Sequence, residues 1–323
     1  MNPKWICAFF LFLALAACRT APEAESTASS TSVSAKESYT RGQAAFDRGD
    51  YAQAISEITK VIEADPSDAS AYTMRGSAYL ELLEYKKAIA DLDEAIRLDQ
   101  DNPRAFFHRG KAYFLTSDYD RAIADQNRAI ELDHQFVNAY IERGIASYEK
   151  GDYESALQDY QQALEFDPDN FYAFQELGIT YHTMGDEQKA LQNLDQAIAI
   201  MPDNLDALHN RAAIYLSTND LDKALIDYQK ILALDPENDD AYGVCAYIYA
   251  QQGKWSQAIE SSSAAITLNP SSGEAYLYRG LAYAMLGKKE EAMADIKKAL
   301  DLDLRPENLQ LAKSLLSELE AGD

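Results

Sequence analysis

The sequence predicts an all-α protein, an α-solenoid of eight stacked helix-turn-helix units followed by a C-terminal capping helix. Alanine stands at positions 54, 88, 122, 156, 190, 224, 258 and 292, a constant step of 34 residues, and only a tandem repeat spaces one residue type that way. Residues 35–306 divide into eight 34-residue units without an insertion. Within a unit, counted from one to 34, positions four, seven, eight and 11 are spaced i, i+3, i+4 and i+7, one face of a helix.

The composition agrees with a folded, acidic chain. Of 323 residues 53 are acidic and 29 basic, a net charge of −24, so nucleic acid is excluded as a partner: phosphate binding needs clustered Lys and Arg. With 47% apolar residues and only 14 Gly and 9 Pro, the chain is neither disordered nor fibrous.

Taken from the N-terminus, the first element is an export signal. Lys4 precedes an uncharged, mostly apolar run from Trp5 to Ala17, too short to span a bilayer as a helix. Its end, Leu15-Ala16-Ala17-Cys18, resembles a bacterial lipoprotein signal. The resemblance implies that residues 1–17 are removed and that Cys18 carries diacylglycerol and an acylated amine (palmitate among the chains), a stable membrane anchor. Arg19 in place of the Asp that retains such proteins at the inner membrane points to an outer-membrane lipoprotein facing the periplasm, the inner membrane and the cell surface staying open. Residues 18–34, rich in Ser, Thr, Ala and Glu, are expected as a flexible tether. With Cys7 removed and Cys18 lipidated, Cys245 is the one thiol left, expected to be a small buried residue.

The eight units follow. Position eight is Gly or Ala throughout (Gly42, Gly76, Gly110, Gly144, Gly178, Ala212, Ala246, Gly280) and position 11 is Tyr in six units. Small residues at eight and 20 let two helices approach. Asp50, Asp118, Asp152, Asp186 and Asp220 at position 16 are expected to cap the second helix, and the prolines at position 32 in five units stop it. Ser38, at a position that is large and apolar in the other units, is expected to give the first unit a polar outer face. Residues 307–323 place Leu309, Ala312, Leu315, Leu316 and Leu319 at helical spacing, the capping helix. The whole pattern resembles the tetratricopeptide repeat, which implies a right-handed superhelix.

Two columns of charge vary together. Position seven is Arg41, Arg75, Arg109, Arg143, Arg211 and Arg279, and position 23 in the same units is Glu57, Asp91, Asp125, Asp159, Asp227 and Asp295. Where position seven is Leu177 or Cys245, position 23 is Asn193 or Ser261. An ion pair between the two helices of each unit is therefore expected rather than an anion-binding stripe.

Positions two, five, six, nine and 12 lie roughly opposite the packing face. In the tetratricopeptide family that face lines a concave groove for peptides. The resemblance thus implies a binding surface here that includes Tyr39, Phe46, Phe107, Lys111, Phe114, Ile141, Tyr148, Tyr172, Gln175, His182, His209 and Tyr247. Basic residues (Lys36, Arg104, Lys111) gather toward its N-terminal end and acidic ones (Asp206, Asp240, Glu274) toward its C-terminal end. The Lys and Asn with which chaperone-binding members grip a terminal carboxylate are missing at positions five and nine. An apolar or mixed peptide, or a folded protein surface, is the expected ligand.

Four scattered histidines and no thiolate cluster argue against a metal or cofactor, and no phosphate loop or nucleophile elbow argues for an enzyme. The leading expectation is a lipid-anchored envelope scaffold that binds other proteins or peptides through the groove. The alternatives are a periplasmic receptor for a small molecule or glycan, using the groove aromatics, and a self-assembling structural lipoprotein forming homo-oligomers through Leu309 to Leu319.

Overall fold

The computed structural model describes residues 27–321, and among the described residues there are 17 helices and no strand. Eight first helices, α1 (Thr27–Asp47), α3 (Ala69–Glu81), α5 (Pro103–Leu115), α7 (Val137–Glu149), α9 (Phe171–Thr183), α11 (Leu205–Ser217), α13 (Asp239–Gln251) and α15 (Gly273–Met285), alternate with eight second helices. The latter are α2 (Tyr51–Ala64), α4 (Tyr85–Leu98), α6 (Tyr119–Leu132), α8 (Tyr153–Phe166), α10 (Glu187–Ile200), α12 (Leu221–Leu234), α14 (Trp255–Leu268) and α16 (Lys289–Leu300), and α17 (Pro306–Ala321) ends the array. Residues 1–26, with the expected signal, Cys18 and most of the tether, lie outside the described residues. The last part of that tether is corrected: α1 begins at Thr27, so residues 27–34 are helical. No Gly or Pro stands between Pro22 and Gly42, and nothing in the chain stops the helix of the first unit from running back.

Each unit closes on its small residues. The alanines at position 20 are buried in all eight units. At position eight the second helix comes so near that a Cβ on Gly144 would lie 2.5 Å from the Tyr160 ring, and one on Gly178 would lie 2.6 Å from Leu194. Side chains cannot occupy that space without displacement, which is why the column tolerates only Gly and Ala. Cys245 is 2% exposed and free, and burial pushes its thiol up to about 12, the unreactive condition expected of a core cysteine.

Caps and turns set the helix ends. Asp50, Asp118, Asp152 and Asp186 each accept a hydrogen bond from the backbone N–H three residues on. Asp220 makes no such cap bond, its carboxylate pairing with Lys223 at 2.7 Å. The first helices carry caps that sequence reading passed over: Asp68, Asn102, Asn170, Asn204, Asn238 and Ser272 at position 34. Between the two helices of every unit, position 15 is left-handed, with Gly in five units and Leu83, Ser117 and Asn219 in the others. Ser38 departs from expectation. It is 2% exposed and accepts a hydrogen bond from Arg41 Nη2 at 3.0 Å, so the first unit has no polar face there.

The expected ion pairs are present in all six units. Arg75, Arg109, Arg143, Arg211 and Arg279 grip their aspartates with two nitrogens at 2.5–2.9 Å, and Arg41 meets Glu57 at 3.0 Å. Five of them do more: Nη1 donates to position 25 of the preceding unit, to Thr59, Asp93, Asn127, Asp195 or Ser263 at 2.6–3.2 Å. One guanidinium thus ties three helices and two units, using the planar fork that Lys lacks.

Candidate peptide-binding groove

The backbones of first helices in adjacent units approach one another, α11 and α13 excepted, whereas among the described residues no two second helices bring their Cα atoms within 8 Å. The stack therefore curves with the first helices inside, and their outward-facing residues line a concave groove. A cavity of about 260 Å³ opens at its N-terminal end, walled by Tyr39, Gln43, Phe46, Thr73, Ser77, Arg104 and His108 among others. These residues hold positions two, five, six, nine and 12 of units one to three.

The expected groove residues divide into three kinds. Ile141, 6% exposed, belongs to the core with Tyr160 and Leu177, so its inclusion in the binding surface is corrected: an apolar side chain at position five turns into the unit interface. The column at position 12 turns toward its own unit, where Phe46, Phe114 and Tyr148 rest on Tyr51, Tyr119 and Tyr153 with ring centroids 5.2–5.6 Å apart. His182 bonds Glu187 at the same place, Nδ1 to carboxylate at 2.7 Å. Phe107 packs on Phe136 at 4.9 Å and Tyr247 on Tyr278 at 5.5 Å, both partly buried. Tyr39 walls the cavity, Tyr172 is 61% exposed, His209 is exposed with its ring edge on Tyr228, and Lys111 and Gln175 are partly buried. Gln175 Oε1 is enclosed without a hydrogen-bond partner in the protein.

Position six supplies residues that sequence reading missed. His108, Glu142 and Glu176 succeed one another in units three, four and five, along the groove floor. Burial, with Lys111 and Arg104 close by, lowers the His108 imidazole to about 4, so it is neutral near pH 7. Desolvation raises Glu142 against the pull of Lys111. It raises Glu176 to about 7, with a Gln175 hydrogen bond opposing and the Glu142 and Glu149 charges adding. The signal available was the run of ionisable residues at one position in three successive units.

The charges in the groove are unpaired. Among the described residues Lys36, Arg104 and Lys111 form no salt bridge, nor do Glu142, Glu176, Asp206 and Asp240, whereas the Arg column behind them is matched throughout. Glu274 is the exception, since Arg305 and Asn308 from the start of α17 bind its carboxylate, Asn308 Nδ2 at 3.1 Å. Among the described residues no group of His, Cys, Asp and Glu is arranged to hold a metal ion, and no helix is long and apolar enough to cross a membrane.

A curved stack of helix pairs with a lined inner face defines a repeat scaffold, and sequence comparison names the repeat. Family models described as TPR repeat match residues 146–185 and 246–287, and models described as Tetratricopeptide repeat match residues 39–103, 73–135, 171–204, 205–238 and 273–305. Together they take in well over half of the chain, which belongs to the tetratricopeptide repeat proteins. No curated protein matches it. Among solved structures, a tetratricopeptide repeat protein from Parabacteroides merdae is 18% identical with a TM-score of 0.52, over 89% of this chain and 99% of that one. Pseudomonas aeruginosa pilF is 17% identical with a TM-score of 0.57, over 65% of this chain and 96% of that one. YrrB, described as a TPR protein with an unusual peptide-binding site, is 29% identical with a TM-score of 0.44, over 52% and 87%. The first two likenesses are of fold.

Proposed function

We propose that the chain is a protein-interaction scaffold, held at the bacterial envelope by lipid on Cys18, that receives a partner protein or peptide in its concave groove. The observation that carries the reading is the contrast between matched charges in the walls and unmatched ones on the groove surface. Unpaired charges in a confined site are costly, and a ligand that supplies the opposite charges removes that cost. The anchor rests on Leu15-Ala16-Ala17-Cys18, and the outer-membrane, periplasm-facing address on Arg19. Dual or triple acylation anchors a protein of this size stably.

Two experiments test the two halves. Labelling cells with a palmitate analogue is expected to mark the wild type and not Cys18→Ala, and an unlabelled wild type removes the anchor. Crosslinking and capture from native envelopes compare the wild type with Tyr172→Ala/Gly243→Arg, which loses an exposed ring and fills open space on α13. Envelope proteins captured by the wild type and lost by the variant support the groove. Identical capture by both moves the binding site elsewhere.

A further inference from the structure

We propose that the groove selects an extended peptide segment whose charge is divided along its length, with acidic side chains over units one to three and basic side chains over units four to seven. The proposal deepens the reading of the groove as an interaction site and rests on it. Lys36 and Arg104 are exposed and Lys111 is partly buried, and among the described residues none makes a salt bridge; Asp65 and Asp68 line the same pocket as Lys36, so Arg104 and Lys111 carry the positive charge of that end. Arg104 stands at the mouth of the cavity beside Tyr39 and His108. His108, neutral near pH 7, adds no charge to either half.

The sign changes between units three and four. Lys111 faces Glu142, near enough to lower its carboxyl though not in a salt bridge, and from there Glu142, Glu176, Asp206 and Asp240 follow one another. Burial raises Glu142, Glu176 and Asp240 alike, with neighbouring carboxylates adding to the last two. His209, which both Asp206 and Asp240 influence, lowers Asp240, and the charge of Glu149 adds to that of Glu142 in raising Glu176. The acidic tract stops at unit eight, where Arg305 and Asn308 occupy Glu274. The groove thus has a basic end, an acidic middle and a closed C-terminal end.

The spacing fixes the peptide's register. Where successive first helices pack against one another, from α1 to α11, they lie about 8 to 10 Å apart, and an extended chain rises about 3.3 Å per residue, so about three ligand residues pass each of those units. Complementary charges every third residue then meet successive units. Opposite charges brought together in a confined groove fix register and reject mismatched ligands.

The test uses the full-length chain purified in an uncharged detergent and fluorescein-labelled peptides of one composition, read by polarisation. Two peptides carry Glu at every third position in one half and Lys in the other, in the two chain directions, and a third intersperses the same residues. One divided peptide is expected to bind about tenfold more tightly than the interspersed one. Glu142→Gln/Glu176→Gln and Arg104→Gln are each expected to erase most of that preference, circular dichroism confirming that both variants are folded. Equal binding of all three peptides, blocked by Tyr172→Ala/Gly243→Arg, overturns the divided-charge proposal and leaves the groove an interaction site. No binding by any of the three also overturns it, while envelope capture decides the interaction reading separately. Self-association abolished by the Glu142/Glu176 variant would instead make a second copy the occupant and overturn the peptide.

Discussion

Glu176 ionises against its surroundings, and that cost is measurable. Its carboxyl is raised from 4.5 to about 7 by desolvation, so the unfolded chain gives up the proton first as pH rises. The folded state therefore loses stability from about pH 4.5 upward, and the full loss is reached above about pH 7. Glu176→Gln is expected to raise stability at pH 8 by about 1 to 3 kcal/mol, allowing for its partial exposure, and to change nothing near pH 4. Urea midpoints at the two pH values check the sign, and a variant that is less stable at pH 8 contradicts it. The Arg143–Asp159 pair makes the opposite case. Asp159 is buried deeply enough that desolvation raises it despite Arg143, and Arg143→Ala strands it, an expected loss of about 3 to 5 kcal/mol. Adding Asp159→Ala to that variant is expected to cost little more, and additive losses in the double-mutant cycle would show the two residues to be uncoupled. The pairs were legible because both columns are constant in kind and vanish together at Leu177 and Cys245. Glu142 and Glu176 were not, because their column also holds Thr40, Met74, Asn210, Val244 and Tyr278, and composition at a position says nothing about how deeply a groove encloses it.

At the scale of the element, the 34-residue period made the helices and their interfaces legible, while backbone conformation in the turns was less so. Leu83 takes the left-handed turn position with φ 61° and is 62% exposed. A non-glycine residue there costs about 1 to 2 kcal/mol, part of which glycine gives back as entropy of the unfolded chain. Leu83→Gly is expected to stabilise the protein by about 0.5 to 1 kcal/mol in thermal or urea denaturation, with no change in helicity. Gly144→Ala probes the converse. Its new Cβ meets the buried Tyr160 ring at 2.5 Å, and an expected loss of about 1 to 3 kcal/mol follows from overpacking. A neutral effect would mean that α7 and α8 separate easily. The tether was misjudged at its end for a related reason: Ser- and Thr-rich composition favours coil only weakly, and continuation from a formed helix outweighs it once nucleation is already done.

For the molecule as a whole, contacts run only between neighbouring helices, so stability is a sum of units and interfaces and each end needs closing. At the C-terminus α17 does so through two different interactions. Ala312, Leu315 and Leu316 join Leu277, Ile296 and Ala299 in one apolar cluster, and buried Asn308 donates to Glu274 and accepts from the Tyr278 hydroxyl. That use of the helix covers much of the apolar face on which end-to-end assembly was expected, though Leu311 stays 39% exposed. Ending the chain after Asp303 exposes the last unit's cluster and frees Glu274 at the same time. Amide exchange is expected to show protection lost in α15 and α16 and kept in α1–α10, because no contact carries the change further than adjoining units. Arg305→Gln, which keeps α17 and its apolar cluster, instead extends the acidic tract by one unit, since Glu274 then joins Asp206 and Asp240, and a basic peptide is expected to bind it more tightly than it binds the unaltered chain. Uniform loss of protection along the whole array in the truncated chain would show that the units fold as one cooperative body, and an unchanged peptide affinity of Arg305→Gln would show that Glu274 is not part of the groove surface.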